Sequence, residues 1–230
     1  MKKFSIIFLI LIFSTTATTF AEENIEPIIG NIVKEKIFSA NLEGRFFASN
    51  LSGKVHDGRQ SYTLNTGGGN ASEFIFTYKN FSADYVHSHG KNSFAQTDIH
   101  YTKLSIKKSL ISLMGSEINF NYGVTGTSWR GSKNISTHKK SQNYFVVVPV
   151  AGIGLQIRVL PKADIYSQIS GLPLGGHGHI YDFEAGFRYS PQKDFSLTAG
   201  FRKIDANFNL NDEEGNFKMN GPFFGMRLNF

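Results

Sequence analysis

The sequence predicts an all-β fold, a transmembrane antiparallel up-and-down β-barrel of about ten strands. Apolar and polar residues alternate along many segments, which is the pattern of strands whose two faces meet different environments. The chain holds 22 Phe and 9 Tyr, yet it has no apolar run of roughly 18 or more residues that could form a spanning helix. Barrels use such aromatic residues in their lipid-facing belt and girdles. Eight strands is the alternative, because segments 94–106 and 163–171 alternate weakly.

The N-terminus is predicted to be a cleaved signal peptide of residues 1–21. Two lysines precede an apolar run of about ten residues, which is too short to span a membrane and suits a signal-peptide core. Small residues close this segment, so cleavage is expected after Ala21. Residues 22–36 show no usable alternation and are expected to form a lead-in to a barrel at 37–230.

The composition excludes several classes of protein. The absence of cysteine excludes a lipidated bacterial lipoprotein, disulfide bonds and cysteine-ligated metal sites. The formal net charge is +6 and falls to about +4 when Lys2 and Lys3 leave with the signal peptide (22 basic minus 18 acidic residues). This excess is small and its basic residues are dispersed, so no nucleic-acid partner is expected.

The first predicted strand supplies a rule that sorts the two faces of every later strand. Leu42 and Phe46 share one face, while Glu43 and Arg45 share the other. An arginine that faced lipid near the middle of a membrane would cost about 2 to 4 kcal/mol. The charged face is therefore expected to point into the lumen and the apolar face toward lipid.

The polar segments between the predicted strands are expected to form outer loops at one end of the barrel and short inner turns at the other. The first outer loop is long or is an extension of strands above the bilayer. The expected outer loops are 50–70, 89–92, 130–140, 172–179 and 209–216. The expected inner turns are 79–80, 107–115, 160–162 and 190–194.

Two strands do not keep a single apolar face under this rule. Within 94–106, Ile99 and Tyr101 indicate one phase while Leu104 indicates the other, so a β-bulge is expected near Lys103. In the strand that begins at 195, the phase is expected to slip by one residue before the apolar residues at 204, 206 and 208. The only tryptophan, Trp129, is expected at the membrane interface, where amphipathic rings are favoured.

The final strand, 221–230, carries an apolar row that runs to the last residue. The row consists of Phe224, Met226, Leu228 and Phe230. An aromatic-rich last strand that ends in Phe resembles the assembly signal of Gram-negative outer-membrane β-barrels. The whole mature chain is similar in architecture to the small members of that class, above all to those described only as outer-membrane proteins with no assigned chemistry.

The resemblance implies a location and a set of partners. It implies export, a periplasmic position for residues 22–36, periplasmic chaperones, and insertion into the outer membrane by the barrel assembly machinery, which would read the last strand. Outer-membrane lipid and lipopolysaccharide are the expected surroundings, and the protein is expected to be a monomer without a cofactor.

The sorting rule collects nine charged residues on the lumen face. They are Glu43, Arg45, Glu117, Arg158, Asp182, Glu184, Arg188, Arg202 and Arg227. Because unpaired buried charge is costly, these residues are expected to pair and plug a lumen that about ten strands leave narrow. The alternative is a narrow channel for small anions or apolar molecules, which an excess of arginine would make anion-selective.

Metal binding and catalysis are the remaining hypotheses, and neither is favoured. His87, His89, His100, His177 and His179 fall in or near outer loops, where histidine is an ordinary polar residue. Lipid A deacylase barrels carry a His-x-Ser pair on one face of a strand, with a glutamate nearby. Here Ser88 directly follows His87, which puts the two on opposite faces. The sequence therefore predicts a non-enzymatic barrel with a structural or surface-interaction role.

Overall fold

The structure of the protein, a computed structural model, describes residues 40–57, 60–65, 68–91, 95–135, 138–173, 178–210 and 213–230. The predicted signal peptide and lead-in lie outside the described residues. Within the ranges given, no helix has the length and apolarity of a membrane span. The described strands are β1 (Ala40–Asp57), β2 (Gln60–Asn65), β3 (Gly69–Tyr78), β4 (Phe81–Lys91), β5 (Ala95–Leu113), β6 (Ser116–Ile135), β7 (His138–Leu160), β8 (Ala163–Pro173), β9 (Gly178–Gln192), β10 (Phe195–Leu210) and β11 (Glu213–Asn229).

The strands form one antiparallel sheet that closes on itself. The order is β11-β10-β9-β8-β7-β6-β5-β4-β3-β1-β2, and β11 also pairs with β1. The short β2 pairs with the outer part of β1, so ten strands build the wall. This confirms the predicted up-and-down barrel and shows that the eight-strand alternative is wrong, because both weakly alternating segments are wall strands.

The outer surface carries a belt of large apolar side chains. Phe46 on β1 and Phe224 on β11 are opposite one another and are 53% and 57% exposed. The exposed residues of the belt include Leu42, Phe74, Phe76, Tyr122, Ile153, Leu155, Ile165, Phe183, Phe187, Phe201, Met226 and Leu228. A soluble monomer rarely exposes an apolar patch larger than a few hundred Å². The belt is therefore the lipid-facing surface that the alternation predicts.

Short turns join the strands at the end of the barrel where β1 begins and β11 ends. They are centred on 79–80, 114–115, 161–162 and 193–194. Met114 and Gly115 both have positive φ, 51° and 80°, as a two-residue hairpin turn with a right-handed strand twist requires. Short turns mark the periplasmic end of an outer-membrane barrel. The expected turn at 107–115 is wrong in extent, because β5 continues to Leu113.

At the opposite end, much of what was expected to be loop is strand. β1 continues to Asp57, β6 to Ile135 and β10 to Leu210. Polar residues can continue a hydrogen-bonded ladder above a membrane, where neither face of the sheet must be apolar. The outer loops are consequently shorter than the sequence suggests, and the segment 50–70 is mainly a strand extension.

The outer half of the lumen is filled by an apolar core. The core consists of Phe47, Leu51, Ala71, Val86, Ile99, Tyr101, Trp129, Val148, Val150, Ile180, Ile204, Ala206, Phe208, Phe217, Met219 and Phe223. Trp129 is only 4% exposed within it, so the predicted interfacial position of this ring is wrong. The sorting rule fails here because it assumes that the lumen is polar along its whole length.

The same apolar core explains the two errors of phase. Tyr101 and Lys103 are both buried on the inward face of β5, whose ladder shifts between Ser109 and Ile111 instead of near Lys103. On β10, Arg202 and Ile204 are both buried inside the barrel, so the expected slip is absent. In each strand the inward face is polar toward the periplasmic end and apolar toward the outer end, and the register does not change between these two parts.

Candidate functional site

A charged network fills the lumen between the apolar core and the periplasmic end. It is built from inward positions that alternate with the lipid-facing residues of six wall strands. The members are Glu43 and Arg45 on β1, Glu73 on β3, Asp84 on β4, Lys103 on β5, Asp182 and Glu184 on β9, and Arg202 on β10.

Arg202 lies at the centre of this network and is 1% exposed. Its Nε and Nη2 atoms donate to the two carboxylate oxygens of Asp182 at 2.9 and 2.8 Å. Nη2 also donates to Asp84 at 2.7 Å, and Nη1 donates to Glu73. One planar guanidinium thus joins three carboxylates from three strands, which a lysine could not do with the same geometry.

Arg45 forms a second centre nearer the periplasmic end. Its Nε donates to Glu43 at 2.6 Å, and its Nη1 donates to Glu184 at 2.8 Å and to Glu73 at 3.2 Å. The guanidinium carbon lies 4.4 Å from the centre of the Phe223 ring, which gives a cation–π contact. Glu73 therefore links the two arginine centres.

Glycine at an inward position makes room for Arg45. A Cβ atom on Gly225 would lie 2.6 Å from Cγ of Arg45 and 2.8 Å from the carbonyl oxygen of Gly44. Any larger residue at 225 would displace the side chain that holds this part of the network. The local sequence of β11 is thus adapted to the ion pairs of β1.

Lys103 completes the cation set. Its Nζ donates to Asp182 at 2.6 Å and to the hydroxyl of Ser170 at 3.3 Å, while the hydroxyl of Tyr101 donates to Asp182 at 3.1 Å. The network thus holds five carboxylates and three cations. Each of the three cations contacts at least one of these carboxylates, as buried charge requires.

The nine sequence-predicted lumen residues separate into three groups. Five belong to the network: Glu43, Arg45, Asp182, Glu184 and Arg202. Arg188 and Arg227 line a cavity beside it. Glu117 pairs with Lys107 at 2.8 Å, and the half-exposed Arg158 lies 3.5 Å from Asp164, so both lie outside the network.

Three network residues are absent from the sequence-predicted set. Asp84 has the inward phase of its strand, and Glu73 directly precedes the lipid-facing Phe74, so alternation could have found both. Lys103 could not be assigned to the lumen face from the sequence, because a bulge was wrongly expected at that residue. The sequence offers no signal for which of these strands face one another across the lumen.

A cavity of about 210 Å³ opens beside the network at the periplasmic end. Asn80 of the first short turn is at its rim, and Arg45 and Glu184 line its wall. Beyond the charged network, the apolar core occupies the outer half of the lumen. The cavity is therefore a pocket that opens at the periplasmic end and does not continue to the outer end.

The sequence-predicted assembly residues form one row on the lipid face of β11. Phe224, Met226, Leu228 and Phe230 are 57%, 56%, 45% and 69% exposed. The backbone N–H of Phe230 donates to the carbonyl of Ala40 at 2.8 Å, which holds the chain end against β1. Their role as an assembly signal stays a prediction.

The histidines form cross-strand pairs near the outer edge of the belt. The rings of His87 and His100 stack with centroids 4.6 Å apart, and His89 Nδ1 lies 2.6 Å from Asp98. His179 Nε2 lies 3.7 Å from Asp205, whereas His177 is outside the described residues. The described ranges contain no group of three or more potential ligands arranged to hold a metal ion.

Comparison with solved structures shows what this fold is similar to. The outer membrane protease OmpT from Escherichia coli matches with a TM-score of 0.56 and 7% identity over 84% of this chain and 98% of that chain. Neisserial surface protein A matches with a TM-score of 0.40 and 12% identity over 83% and 97%. The N-terminal β-barrel domain of Pseudomonas aeruginosa OprF gives 0.38 and 9% over 84% and 100%.

These likenesses concern the fold. No protein-family model matches the sequence, and no curated protein matches it. The match to OmpT shows the architecture of a small outer-membrane barrel, and the lipid-facing belt agrees with it. Fold and belt together support the predicted outer-membrane location.

Proposed function

We propose that this protein, which has the fold of the small Gram-negative outer-membrane β-barrels, is a closed barrel that does not conduct ions. In this proposal its rigid wall holds strand hairpins above the outer membrane for envelope integrity or surface contact. We propose no catalytic activity for this barrel.

The filled lumen is the observation that carries this proposal. Phe47, Ile204 and Met219 are at most 2% exposed in the apolar core, so large apolar side chains fill much of the outer half of the lumen. Below the core, Arg202 joins strands on opposite sides of the wall. An ion would have to lose its hydration among these apolar side chains, which is costly.

The hairpin of β6 and β7 supports a surface role. Ala151 is the last β7 residue that pairs with β8, yet β7 extends outward to His138. Segment 126–149 of the sequence contains four basic residues and no acidic residue. Phe145 and Val147, which lie beyond Ala151, are 73% and 54% exposed. A basic, partly apolar projection suits contact with anionic lipopolysaccharide.

The positions of His87 and Ser88 do not favour the other alternative, a lipid A-modifying enzyme that uses this pair. Ser88 is fully buried on the inward face of β4 and is within 3.3 Å of Ser49, whereas the neighbouring His87 stacks on His100. A serine nucleophile needs a base within hydrogen-bond reach. His87 and Ser88 therefore do not form such a pair.

Single-channel recording in a planar lipid bilayer tests the proposal. The mature protein, shown to be folded by its heat-modifiable mobility on a gel, should give no discrete current steps at low or high salt. A porin reconstituted in the same bilayer is the positive control. Discrete steps with anion preference would instead support the alternative, a narrow channel lined by Arg45, Arg188, Arg202 and Arg227.

A further inference from the structure

Two arginines beside the lumen cavity differ from those of the charged network. Arg188 on β9 and Arg227 on β11 both line the cavity. The Nε atom of each is buried without a hydrogen-bond partner. In the described part of the chain neither side chain forms an ion pair, whereas Arg45 and Arg202 each contact three carboxylates.

The carboxylates around these arginines are already engaged. Asp164, which is opposite Arg188 in the sheet, accepts from Gln156 at 3.2 Å and from Arg158 at 3.5 Å. Glu43 accepts from Arg45 at 2.6 Å and from Thr198 at 2.7 Å, and Glu184 accepts from Arg45 at 2.8 Å. Arg188 instead lies over the ring of Tyr166, with its guanidinium carbon 5.1 Å from the ring centre. A partly buried guanidinium without a carboxylate partner is costly unless a counter-ion or water accompanies it.

Three residues that line the same cavity carry a buried polar atom without a hydrogen-bond partner. These atoms are Asp84 Oδ1, Asn119 Oδ1 and Asn121 Nδ2, on side chains whose residues are at most 6% exposed. The two oxygens accept hydrogen bonds, while the amide nitrogen donates them. The wall of the cavity is thus built from residues that carry donors, namely both arginines and Asn121, and from residues that carry acceptors, namely Asp84 and Asn119.

We propose that this cavity is a binding site for a small oxyanion that enters from the periplasmic end and lies between Arg188 and Arg227. The planar guanidinium group matches the oxygens of phosphates and carboxylates. The acceptors on Asp84 and Asn119 suit an anion that also carries a proton or a hydroxyl group, such as monohydrogen phosphate.

The size of the cavity supports an ion of this class. Its volume of about 210 Å³ is smaller than the roughly 300 to 1,000 Å³ of pockets for drug-sized ligands. The inference goes beyond the proposed function, since a pocket at the periplasmic end can bind an anion whether or not the outer hairpins bind a partner at the cell surface.

Thermal unfolding of the folded protein in a non-ionic detergent tests this site. Titrating inorganic phosphate at constant ionic strength, with chloride as the balancing ion, should raise Tm in a saturable manner, because a ligand that binds only the folded state stabilises it. Succinate in a parallel titration distinguishes a phosphate site from a carboxylate site, and a saturable rise with either anion supports the proposal.

Variants assign the effect to the two arginines. The double variant Arg188→Gln with Arg227→Gln should lose the saturable rise, while Arg158→Gln, which removes an exposed arginine at the same end, should retain it. Arg227→Lys keeps the charge and should weaken the effect less than Arg227→Gln, which provides a test if the double variant does not fold. No saturable rise in the native protein, or an equal rise in the double variant, would overturn the site.

Discussion

At the scale of single residues, Trp129 shows how position in the barrel overrides chemical preference. An amphipathic ring at the outer end of a wall strand is usually placed at the membrane interface. Trp129 instead occupies the inward face of β6 and packs near Gly53 and Gly215 of the facing strands, which have no side chain to fill that space. The ring is therefore part of the apolar core.

Fluorescence can distinguish the two positions of this only tryptophan. Because Trp129 is enclosed by the barrel, brominated lipids in vesicles should quench its emission only weakly, and acrylamide should do the same. A matched variant, Trp129→Phe with Tyr122→Trp, moves the indole to the lipid-facing belt and should be quenched strongly by the same lipids. Equal quenching in the two proteins would place Trp129 at the lipid surface.

At the scale of elements, the last strand closes the wall at both of its edges. β11 pairs with β1 and β10 along its length, and Pro222 interrupts the ladder with β1 near Ala48 because it has no N–H group. The pairing resumes at Phe223 and ends with the hydrogen bond from Phe230 to Ala40. The C-terminal residue is therefore part of the seam.

Removal of the last residue tests whether that end drives insertion. Deleting Phe230 removes the lipid-facing ring and the backbone bond to Ala40, so the fraction of heat-modifiable, membrane-integrated protein should fall. Phe230→Ala keeps the backbone bond and separates the two contributions, and Asn229→Ala at the neighbouring position serves as the control. Unchanged integration of the deleted protein would refute the assembly role of Phe230.

At the scale of the whole molecule, the charged network connects strands that are remote in the sheet. Arg202 of β10 contacts carboxylates of β3, β4 and β9, while Arg45 of β1 contacts β3 and β9. The ladder of hydrogen bonds joins neighbours only. The ion pairs therefore brace the wall across its diameter, which suits a rigid barrel.

Loss of the central cation should destabilise the whole barrel. Arg202→Ala would leave Glu73, Asp84 and Asp182 with fewer partners, and breaking a buried ion pair costs about 3 to 5 kcal/mol. We expect denaturant unfolding to show a loss of that size, with a lower temperature for disappearance of the folded gel band. Arg158→Ala, at an exposed pair, should change stability by less than about 1 kcal/mol. A similar small loss in Arg202→Ala would show that the network does not brace the wall.

The accuracy of the sequence predictions follows the physical environment of each position. Where one face meets lipid, a charge cannot be placed there cheaply, so the faces of Glu43 and Arg45 on β1 and Arg227 on β11 could be assigned from alternation. Around Tyr101 and Ile204 the inward face is apolar and the outward neighbours are polar, so the rule that places polar residues inside assigns the wrong phase. The errors of phase in β5 and β10 came from this inversion of the two faces.

The sequence by itself determined the all-β class, the ten wall strands as the favoured number, the lipid-facing row of β11 and most of the inward charges. Successive residues of a wall strand face lipid and lumen in turn, so the different demands of these two environments appear as alternation in the sequence. Only the tertiary structure decided which of those charges meet. The partners of Arg202 lie 20 to 129 residues away, since closing the cylinder brings them across the lumen. Closure also decided that Arg188 and Arg227 would be left beside a cavity instead of within the network.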